Sequence, residues 1–328
     1  MRKTVWNVYR QFHCIAERCP DSCCAAWEVD VDDESAAFYS SLEGPLGDRL
    51  RQVLKKDGGF YLELENGRCP MWRQDKLCQI QAQLDHDALC RVCREYPRLY
   101  MDFGDFAEWG LELSCPEAAR LIFAGVTAET EEIPGGEIPE YDPEVMQILK
   151  TSRENLLAFW EETSLDVPKA LAVTLLYAHQ VQSAIDGGEE TPLQPENALQ
   201  SAEQFAGAGD LQQLIGFFRE LEILTERWRE MLAHPQKGNW DRRLRELAKY
   251  LIRRYYLQSV WDYDLVCRVK FILAACILVN ALGGDTVQTG QLFAKEIEND
   301  PDNREAILDA AYCHPAFTDA GLLGLLLK

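Results

Sequence analysis

Basic residues are scarce in this sequence of 328 residues. Lysine and arginine total 33, against 54 aspartates and glutamates, which leaves a formal net charge of −21. A charge of this sign repels a phosphate backbone, so we expect no nucleic-acid partner. It would attract a basic surface, such as that of a lysine-bearing protein, although acidity of this size also serves solubility alone.

The sequence also lacks the long apolar runs of exported and membrane proteins. Residues 1–11 include three basic side chains but no apolar stretch of roughly 7–15 residues, which a secretory signal needs. The most apolar stretch, Phe271–Leu282, is shorter than the ~20 residues of a membrane span and predicts a buried helix. We therefore expect a cytoplasmic protein with no membrane partner.

Several common catalytic motifs are missing. No Gly-x-Gly-x-x-Gly follows a predicted strand, and Ser-x-x-Lys, His-Glu-x-x-His and Gly-x-Ser-x-Gly do not occur. The Cys-x3-Cys-x2-Cys pattern of radical S-adenosylmethionine enzymes begins at Cys19 and Cys23 but fails at Ala26. A Rossmann-type nucleotide site and the common hydrolases are therefore not supported.

Cysteine, by contrast, is abundant and unevenly distributed. Nine of the twelve cysteines precede residue 116: Cys14, Cys19, Cys23, Cys24, Cys69, Cys78, Cys90, Cys93 and Cys115. Cytosolic thiols are kept reduced, so clustered thiols in such a protein usually bind metal or do chemistry. Cys267 and Cys276 lie in an apolar helical run and are expected in the core, and Cys313 is expected as a core or surface thiol.

The arrangement of breakers and apolar residues predicts a mainly α protein. Residues 1–126 are interrupted by proline and glycine and predict a small, irregular, cysteine-rich α+β metal-binding domain. Within it, apolar spacing predicts helix over Asp32–Leu54 with a break at Gly44-Pro45, and Phe60–Leu64 before Asn66-Gly67 predicts a hairpin. Residues 127–143 resemble an acidic Pro/Gly linker, and residues 144–328 predict a bundle of about seven or eight helices.

The nine early thiols predict a metal centre. Cys14-x4-Cys19-x3-Cys23-Cys24 places four thiols in eleven residues, and Cys90-x2-Cys93 is a familiar chelating pair. Adjacent Cys23 and Cys24 suit an iron–sulfur cluster, or two sites, better than one tetrahedral zinc ion. Soft thiolates suit either metal, so an iron–sulfur centre of 4Fe-4S type, more than one cluster, and a structural zinc domain all remain open.

A resemblance to a known family rests on several motifs in a fixed order. They are Phe12 to Ala16, Cys19 to Trp27, Cys69-Pro70-Met71, Leu77 to Ile80, Cys93 to Arg98, Leu113 to Arg120, Tyr250 to Tyr256 and Asp264 to Phe271. Together they resemble the flagellin lysine-N-methylase family over nearly the whole chain. The cysteine part also resembles a broader group of zinc- or iron-chelating proteins named for a CxxCxxCC motif, although the spacings here are four and three.

The resemblance implies transfer of a methyl group from S-adenosylmethionine to lysines of flagellin or of another protein or peptide, with an iron–sulfur centre in the N-terminal part. Tyr96 and Arg98 follow Cys93 and are candidates for catalytic roles, while Trp27 follows Cys24 and is a candidate for cofactor binding. As an alternative, Tyr96 and Trp27 belong to the core and Arg98 forms a surface ion pair.

Two other functions remain open beside this one. The chain could be a non-enzymatic zinc or iron–sulfur protein whose helical domain binds a partner, or a different cluster-dependent enzyme that modifies peptides.

Overall fold

The computed structural model describes residues 1–236 and 238–328 and confirms a mainly α fold. The described strands form a four-stranded sheet, in the order β5-β6-β1-β7, and a three-stranded sheet, in the order β2-β4-β3. They are β1 Arg2–Trp6, β2 Val29–Val31, β3 Leu54–Asp57, β4 Gly59–Leu62, β5 Arg98–Asp102, β6 Phe106–Leu111 and β7 Ala128–Glu132. Only β1 and β6 pair in parallel within these sheets.

Short helices accompany the two sheets. They are α1 Asn7–Gln11, α2 Asp33–Ser41, α3 Gly44–Val53, α4 Gln79–Leu84, α5 Arg91–Glu95 and α6 Pro116–Ile122, with a 3₁₀ helix at Ala16–Arg18. The predicted helical segment from Asp32 is confirmed, with its break at Gly44, whose φ of +82° favours glycine. The Asp32 carboxylate begins α2 by accepting a hydrogen bond from the Ser35 amide.

The predicted hairpin at Asn66-Gly67 is only partly present. Asn66 and Gly67 have positive φ and close a tight turn between Glu65 and Arg68, as Asn-Gly favours. However, β4 pairs with β3 through a turn at Gly58, so the strand containing Phe60 has its hairpin partner before it in the chain. The sequence therefore predicts the tight turn at Asn66-Gly67 correctly, but not which strand pairs with β4.

The helical half contains ten α-helices among the described residues, more than the predicted seven or eight. They are α7 Pro143–Glu162, α8 Val167–Ile185, α9 Pro195–Phe205, α10 Leu211–Glu220, α11 Glu226–Ala233, α12 Arg242–Tyr255, α13 Leu265–Leu282, α14 Thr286–Phe293, α15 Pro301–Cys313 and α16 Asp319–Leu327. Some begin without a nearby proline or glycine: α11 is capped by Thr225 and α13 by Asp264. Further helical turns are 3₁₀ at Tyr256–Val260 and Pro315–Phe317 and a π-helix at Ala294–Glu298.

Two separate hydrophobic cores hold this architecture. The larger one joins the four-stranded sheet and α6 to the helical half, and α13 crosses it with Cys276 fully buried. The smaller one packs α2 and α3 against the three-stranded sheet and includes Cys69 and Cys90. Buried Cys267 and Cys276 confirm their predicted place in the core, while Cys313 is exposed.

The apolar helix and the acidic segment each differ from simple expectation. Helix α13 begins at Leu265, so it is long and apolar enough to cross a membrane, but 83% of it is buried, as in the core helix of a soluble protein. Strand β7 lies inside residues 127–143 and pairs antiparallel with β1, and Lys3 bonds Glu131 at 2.6 Å. The domain boundaries themselves and the cytoplasmic location remain predictions.

Candidate metal centre

Six thiols from four chain segments meet in and around the smaller core. Cys69 and Cys90 are buried members of it, and Cys24, Cys78 and Cys93 pack against it. Cys23 completes this set, which we name the thiol cluster, because it lies near enough for a thiolate there to raise the pKa of Cys69, Cys78 and Cys93. Residues far apart in sequence therefore converge as the metal prediction requires.

Backbone pairing brings these segments together. The Cys69 amide donates to the Cys24 carbonyl at 2.7 Å, and an isolated bridge joins Ala25 to Arg68. A second bridge pairs Trp72 with Cys78. The cysteine-bearing loops are thus connected to one another by main-chain hydrogen bonds, although they contribute little regular secondary structure.

Asp32 and Tyr39 position the segment with the chelating pair. The Asp32 carboxylate accepts from the Arg91 amide at 2.8 Å, directly after Cys90 at the start of α5. The Tyr39 hydroxyl donates to the Ala88 carbonyl at 2.9 Å. Neither residue was singled out from the sequence, although Asp32 before a helical pattern is a recognisable capping signal.

The remaining three thiols form a looser group beside Cys23. Cys14 and Cys23 are exposed, Cys19 is half-buried and Cys115 is buried. Cys14 and Cys23 lie near enough for a thiolate at either to raise the pKa of Cys19, and Cys19 and Cys23 have the same effect on Cys115. All nine predicted thiols therefore lie in one neighbourhood that extends from the smaller core to the start of α6.

The thiols differ in their readiness to ionise. A hydrogen bond from Cys93 lowers the pKa of Cys90 to about 7, and the same bond, with burial, raises the pKa of Cys93. The bond with Cys24 raises the pKa of Cys23, whereas burial raises the pKa of Cys69 to about 11 and of Cys115 to about 12. A positive metal ion would favour the thiolate forms that burial opposes.

Thiols are suitable donors for a metal ion, but their positions do not form a complete set of ligands. Cys23 and Cys24 are adjacent in the chain, and Cys90 and Cys93 lie one helical turn apart at the start of α5. Across residues 1–236 and 238–328, no three His, Cys, Asp or Glu side chains are close enough to hold an ion as they stand. Metal binding would therefore require movements that bring at least three of these side chains together.

Trp27 and Tyr96 lie together at the edge of this neighbourhood. Their rings are 6.1 Å apart, the Trp27 indole N–H donates to the Cys23 carbonyl at 3.0 Å, and the Tyr96 and Ser114 hydroxyls are 3.0 Å apart. Burial and the nearby Cys115 charge raise the pKa of Tyr96 well above its usual value. Tyr96 would thus act as a hydrogen-bond donor near neutral pH.

The guanidinium of Arg98 contacts Tyr9 of α1. It donates to the Tyr9 carbonyl at 3.2 Å and lies over the Tyr9 ring at 4.5 Å. Within the described part of the chain, no carboxylate lies within 4 Å of it, so it is not a surface ion pair there. Its contacts hold α1 against β5, and a catalytic role for it remains a prediction.

A contact from the helical half reaches the cysteine loop and could not be found from the sequence. Lys295, 2% exposed in the π-helix, bonds both carboxylate oxygens of Asp21 at 3.0 Å and lies 4.9 Å from the Trp27 ring. Gln291 also donates to Asp21, at 3.2 Å, and to the Ser114 carbonyl, at 2.6 Å. The loop between Cys19 and Cys23 is therefore held by residues about 270 positions away.

The sequence is similar to three curated proteins. It is 28% identical to a flagellar biosynthetic protein FliU of Salmonella muenchen over 119 residues, 34% of this chain and 70% of that protein. It is also 28% identical to lysine-N-methylases of Salmonella typhimurium and Salmonella choleraesuis, over 120 and 119 residues. These stretches cover 34% of this chain but 30% of each lysine-N-methylase, less than the near-complete extent expected.

The other comparisons add no further relative. No family model matches the chain, and no solved structure matches it. The likeness to the CxxCxxCC group therefore stays a prediction. The resemblance of this chain to the flagellin lysine-N-methylase family is confirmed over about a third of its length.

Proposed function

We propose that this chain is an S-adenosylmethionine-dependent protein lysine N-methyltransferase with an iron–sulfur centre of 4Fe-4S type. The observation that carries the proposal is the convergence of the thiol cluster from four segments, in a chain similar to proteins named lysine-N-methylase. The proposed substrate is flagellin or another lysine-bearing protein or peptide, and the net charge of −21 favours such a basic surface.

The thiol cluster would supply the metal ligands. Its members are Cys23, Cys24, Cys69, Cys78, Cys90 and Cys93, with Cys14, Cys19 and Cys115 beside it as further donors. A bound cluster supplies iron–thiolate bonds and a redox couple. The protein's own contribution is to hold the segments, through the Asp32 contact with Arg91 and the Lys295 contact with Asp21.

Methyl transfer to lysine requires a neutral amine. An ammonium has no lone pair to attack the sulfonium methyl group, so the protein must remove a proton or bind the side chain where burial lowers its pKa. Tyr96, with its raised pKa, would orient a group by donating a hydrogen bond.

The test begins with protein purified without oxygen. We expect iron and sulfide in matching amounts, visible charge-transfer absorption, and transfer of labelled methyl groups from S-adenosylmethionine to lysines of flagellin. A flagellin whose exposed lysines are replaced by arginine is the substrate control.

A matched pair of variants tests the role of the thiols. Cys69→Ser should lose both metal and methyl transfer, whereas Cys276→Ser in the larger core should keep both, because Cys276 lies outside the thiol neighbourhood. Metal-loaded protein that transfers no methyl group to any lysine would overturn the proposal.

A zinc protein without catalysis is the second candidate. The observation that favours it is the pair Cys90 and Cys93 at the start of α5, because a Cys-x2-Cys pair suits zinc as well as iron. Colourless protein with stoichiometric zinc and no bound S-adenosylmethionine would support this candidate and exclude the first.

A further inference from the structure

The four-stranded sheet has an open edge at β5. Among the described strands, β5 is the last one on its side of the sheet and pairs only with β6. A cavity of about 310 Å³ lies along this edge beside residues 99–103, and its other wall is formed by the end of α12, Trp261 and Arg304. None of the nine early thiols lines the cavity, so it is distinct from the candidate metal centre.

The pairing of β5 with β6 shows which main-chain groups point out of this edge. The Glu112 amide donates to the Pro97 carbonyl at 2.8 Å. At the other end of the strand, the Phe103 amide donates to the Phe106 carbonyl at 3.0 Å. Hydrogen-bonded positions alternate along an antiparallel strand, so every second residue from Pro97 to Phe103 bonds to β6. The residues between them direct their amides and carbonyls away from β6, and these are Arg98, Tyr100 and Asp102.

These outward groups have no protein partner in the described part of the chain. The main-chain amides and carbonyls of Arg98, Tyr100 and Asp102 form no hydrogen bond with the other cavity wall or with any other described residue. Such a row of free donors and acceptors is a template for a further strand. The opposite edge of the sheet is different, because three of the five residues of β7 are glutamates, which oppose strand addition there.

An aromatic surface lies on one face of this edge. Tyr100 packs on Tyr9 and Trp109, and successive side chains of a strand point to opposite faces. Phe103 lies on the other side, parallel to Trp261 with ring centres 6.4 Å apart. Phe103 is buried, whereas Trp261 is 50% exposed. A strand added beside β5 would therefore direct every second side chain to the face that carries Trp261.

The cavity also has an uncompensated positive charge. Arg304 donates to the Glu298 carbonyl at 2.7 Å, but among the described residues no carboxylate lies within 4 Å of its guanidinium. Arg254, the other arginine of the cavity, is neutralised by Glu298 at 3.1 Å and Glu112 at 3.8 Å. Arg304 therefore retains donors for an acidic group, although the net charge of −21 makes most of the chain unfavourable to one.

We propose that β5 binds an extended peptide segment of a partner protein as an additional strand. An apolar side chain of the segment would pack against Trp261, and an acidic side chain would pair with Arg304. Main-chain bonds to β5 would supply affinity, and these two side chains would supply specificity. This inference goes beyond the proposed function and does not depend on methyl transfer.

A single segment fits this cavity better than a second copy of the chain. The edge of β5 faces the end of α12 and Trp261 across the cavity, so another folded sheet would meet that wall before its strands could pair. An isolated strand needs only the roughly 4.8 Å that separates neighbouring strands. It can enter beside Tyr100 and Asp102, which are exposed.

The experiment measures fluorescence anisotropy of labelled seven-residue peptides with the full-length protein, purified without oxygen. Threonine occupies the even positions of each peptide, and valine occupies the odd positions except for a single glutamate, which is placed at each odd position in turn. We expect at least one peptide to bind. Its glutamine counterpart should bind about tenfold more weakly, because the ion pair with Arg304 is lost.

Methylation of the peptide backbone tests strand pairing itself. In an added strand, alternate amides face β5 and the others face away from it. Two versions of the binding peptide therefore carry N-methyl groups on one or the other alternate set. One version should lose about a hundredfold in affinity or more, because its methyl groups block the bonds to β5, and the other should bind nearly as well as the parent. Equal behaviour of the two versions would contradict strand addition.

A matched pair of variants tests the edge of the protein. Tyr100→Pro removes an outward amide but no bond to β6, and edge strands tolerate proline at such a position. It should weaken the peptide about tenfold or more, whereas Tyr100→Val keeps the amide and should bind within about threefold of the wild type. Hydrogen exchange in β6 should stay slow in both variants, which shows that the sheet is intact.

A second pair of variants tests the charge. Arg304→Gln should weaken the glutamate peptide about tenfold and remove its advantage over the glutamine peptide. Arg229→Gln removes an exposed guanidinium on α11, outside the cavity, and should change neither affinity. A preference for glutamate that survives in Arg304→Gln would show that the acidic side chain binds elsewhere and would refute the assignment.

Two further results would overturn the proposal. One is that no peptide binds the wild type, or that the proline and valine variants bind equally well. The other is a dimeric wild type that Tyr100→Pro converts to a monomer, because the edge would then pair with a second copy. Methyl transfer is assayed separately, so failure of this inference leaves the proposed function standing, and failure of methyl transfer leaves the strand site standing.

Discussion

The two hydrophobic cores differ in what completes them. The larger core is built almost entirely from hydrocarbon and aromatic side chains, and one of its central helices, α13, is buried along most of its length. The smaller core has two cysteines among its buried members and three more packed against it. Burial of apolar area suffices to stabilise the larger core. In the smaller core, thiols occupy positions where aliphatic side chains would add more stability.

The contrast teaches where a metal would matter for folding. A metal that binds only the folded form stabilises that form by mass action. This added stability is a larger share of the total for a small core, because a small core buries less apolar area. We therefore expect the smaller core to depend on metal for its order and the larger core to fold without it. Each prediction below tests this difference.

The largest effect is expected when the chelating pair is removed. Replacing both Cys90 and Cys93 by serine should abolish metal binding and increase hydrogen exchange across β2, α2, α3 and β4. The reason is that a metal would no longer join the four chain segments that carry the thiols. Exchange in α13 should stay slow. Hydrogen exchange followed by mass spectrometry measures both regions in one sample, and equal loss of protection in α13 would contradict two independent cores.

A smaller effect is expected at the contact between the regions. Lys295→Met leaves the Asp21 carboxylate without its buried partner. It should lower the free energy of unfolding by about 2–3 kcal/mol, less than the roughly 3–5 kcal/mol of a fully buried pair, since Asp21 is partly exposed. Urea unfolding should then separate into two transitions, with the thiol region unfolding first.

Lys270→Met is the matched control for that change. Lys270 is also largely buried and pairs with Asp319 at 3.0 Å, but both residues belong to the helical half. Its loss should destabilise the protein without dividing the transition. A single transition in both variants would show that the Lys295 contact does not couple the two regions.

The smallest effect is expected from Asp319. Burial opposes its ionisation, but the hydrogen bond with His179 and the Lys270 charge lower its pKa to about 2. An aspartate in the unfolded chain has a pKa of about 3.9, so this pairing stabilises the fold above about pH 4, and the contribution is lost as the pH falls toward 2.

The corresponding measurement compares Asp319→Asn with the wild type across pH. Because the carboxylate is 40% exposed, solvent screening limits the difference in unfolding free energy to about 1 kcal/mol or less at neutral pH. Urea titrations at neutral and acidic pH should show the difference shrinking below about pH 4, with unchanged metal content. A difference that grows on acidification would contradict the assignment.

Local chemistry made part of this fold predictable. The break at Gly44-Pro45, the tight turn at Asn66-Gly67 and the apolar run of α13 follow from nearest-neighbour preferences and helical periodicity. That the early thiols lie in one neighbourhood was also predictable in kind, because thiols clustered at such density in a chain expected to be cytosolic usually bind metal or do chemistry.

The remaining features depend on partners that are distant in sequence. The acidic residues of β7 form a strand because β1 supplies both backbone pairing and Lys3, more than 120 residues earlier. Lys295 reaches Asp21 because α14 packs against α6. No local pattern indicates which of many lysines will be buried, since that depends on the finished packing.

The π-helix Ala294–Glu298 has a mechanical consequence. Its wider turn directs Lys295 to the cysteine loop, Glu296 to the start of α11 and Glu298 to Arg254. A small rotation of this single turn about its axis would displace all three side chains in concert. Five residues thus connect the cysteine loop, the start of α11 and the end of α12, so we expect a displacement at any one of these contacts to alter the other two.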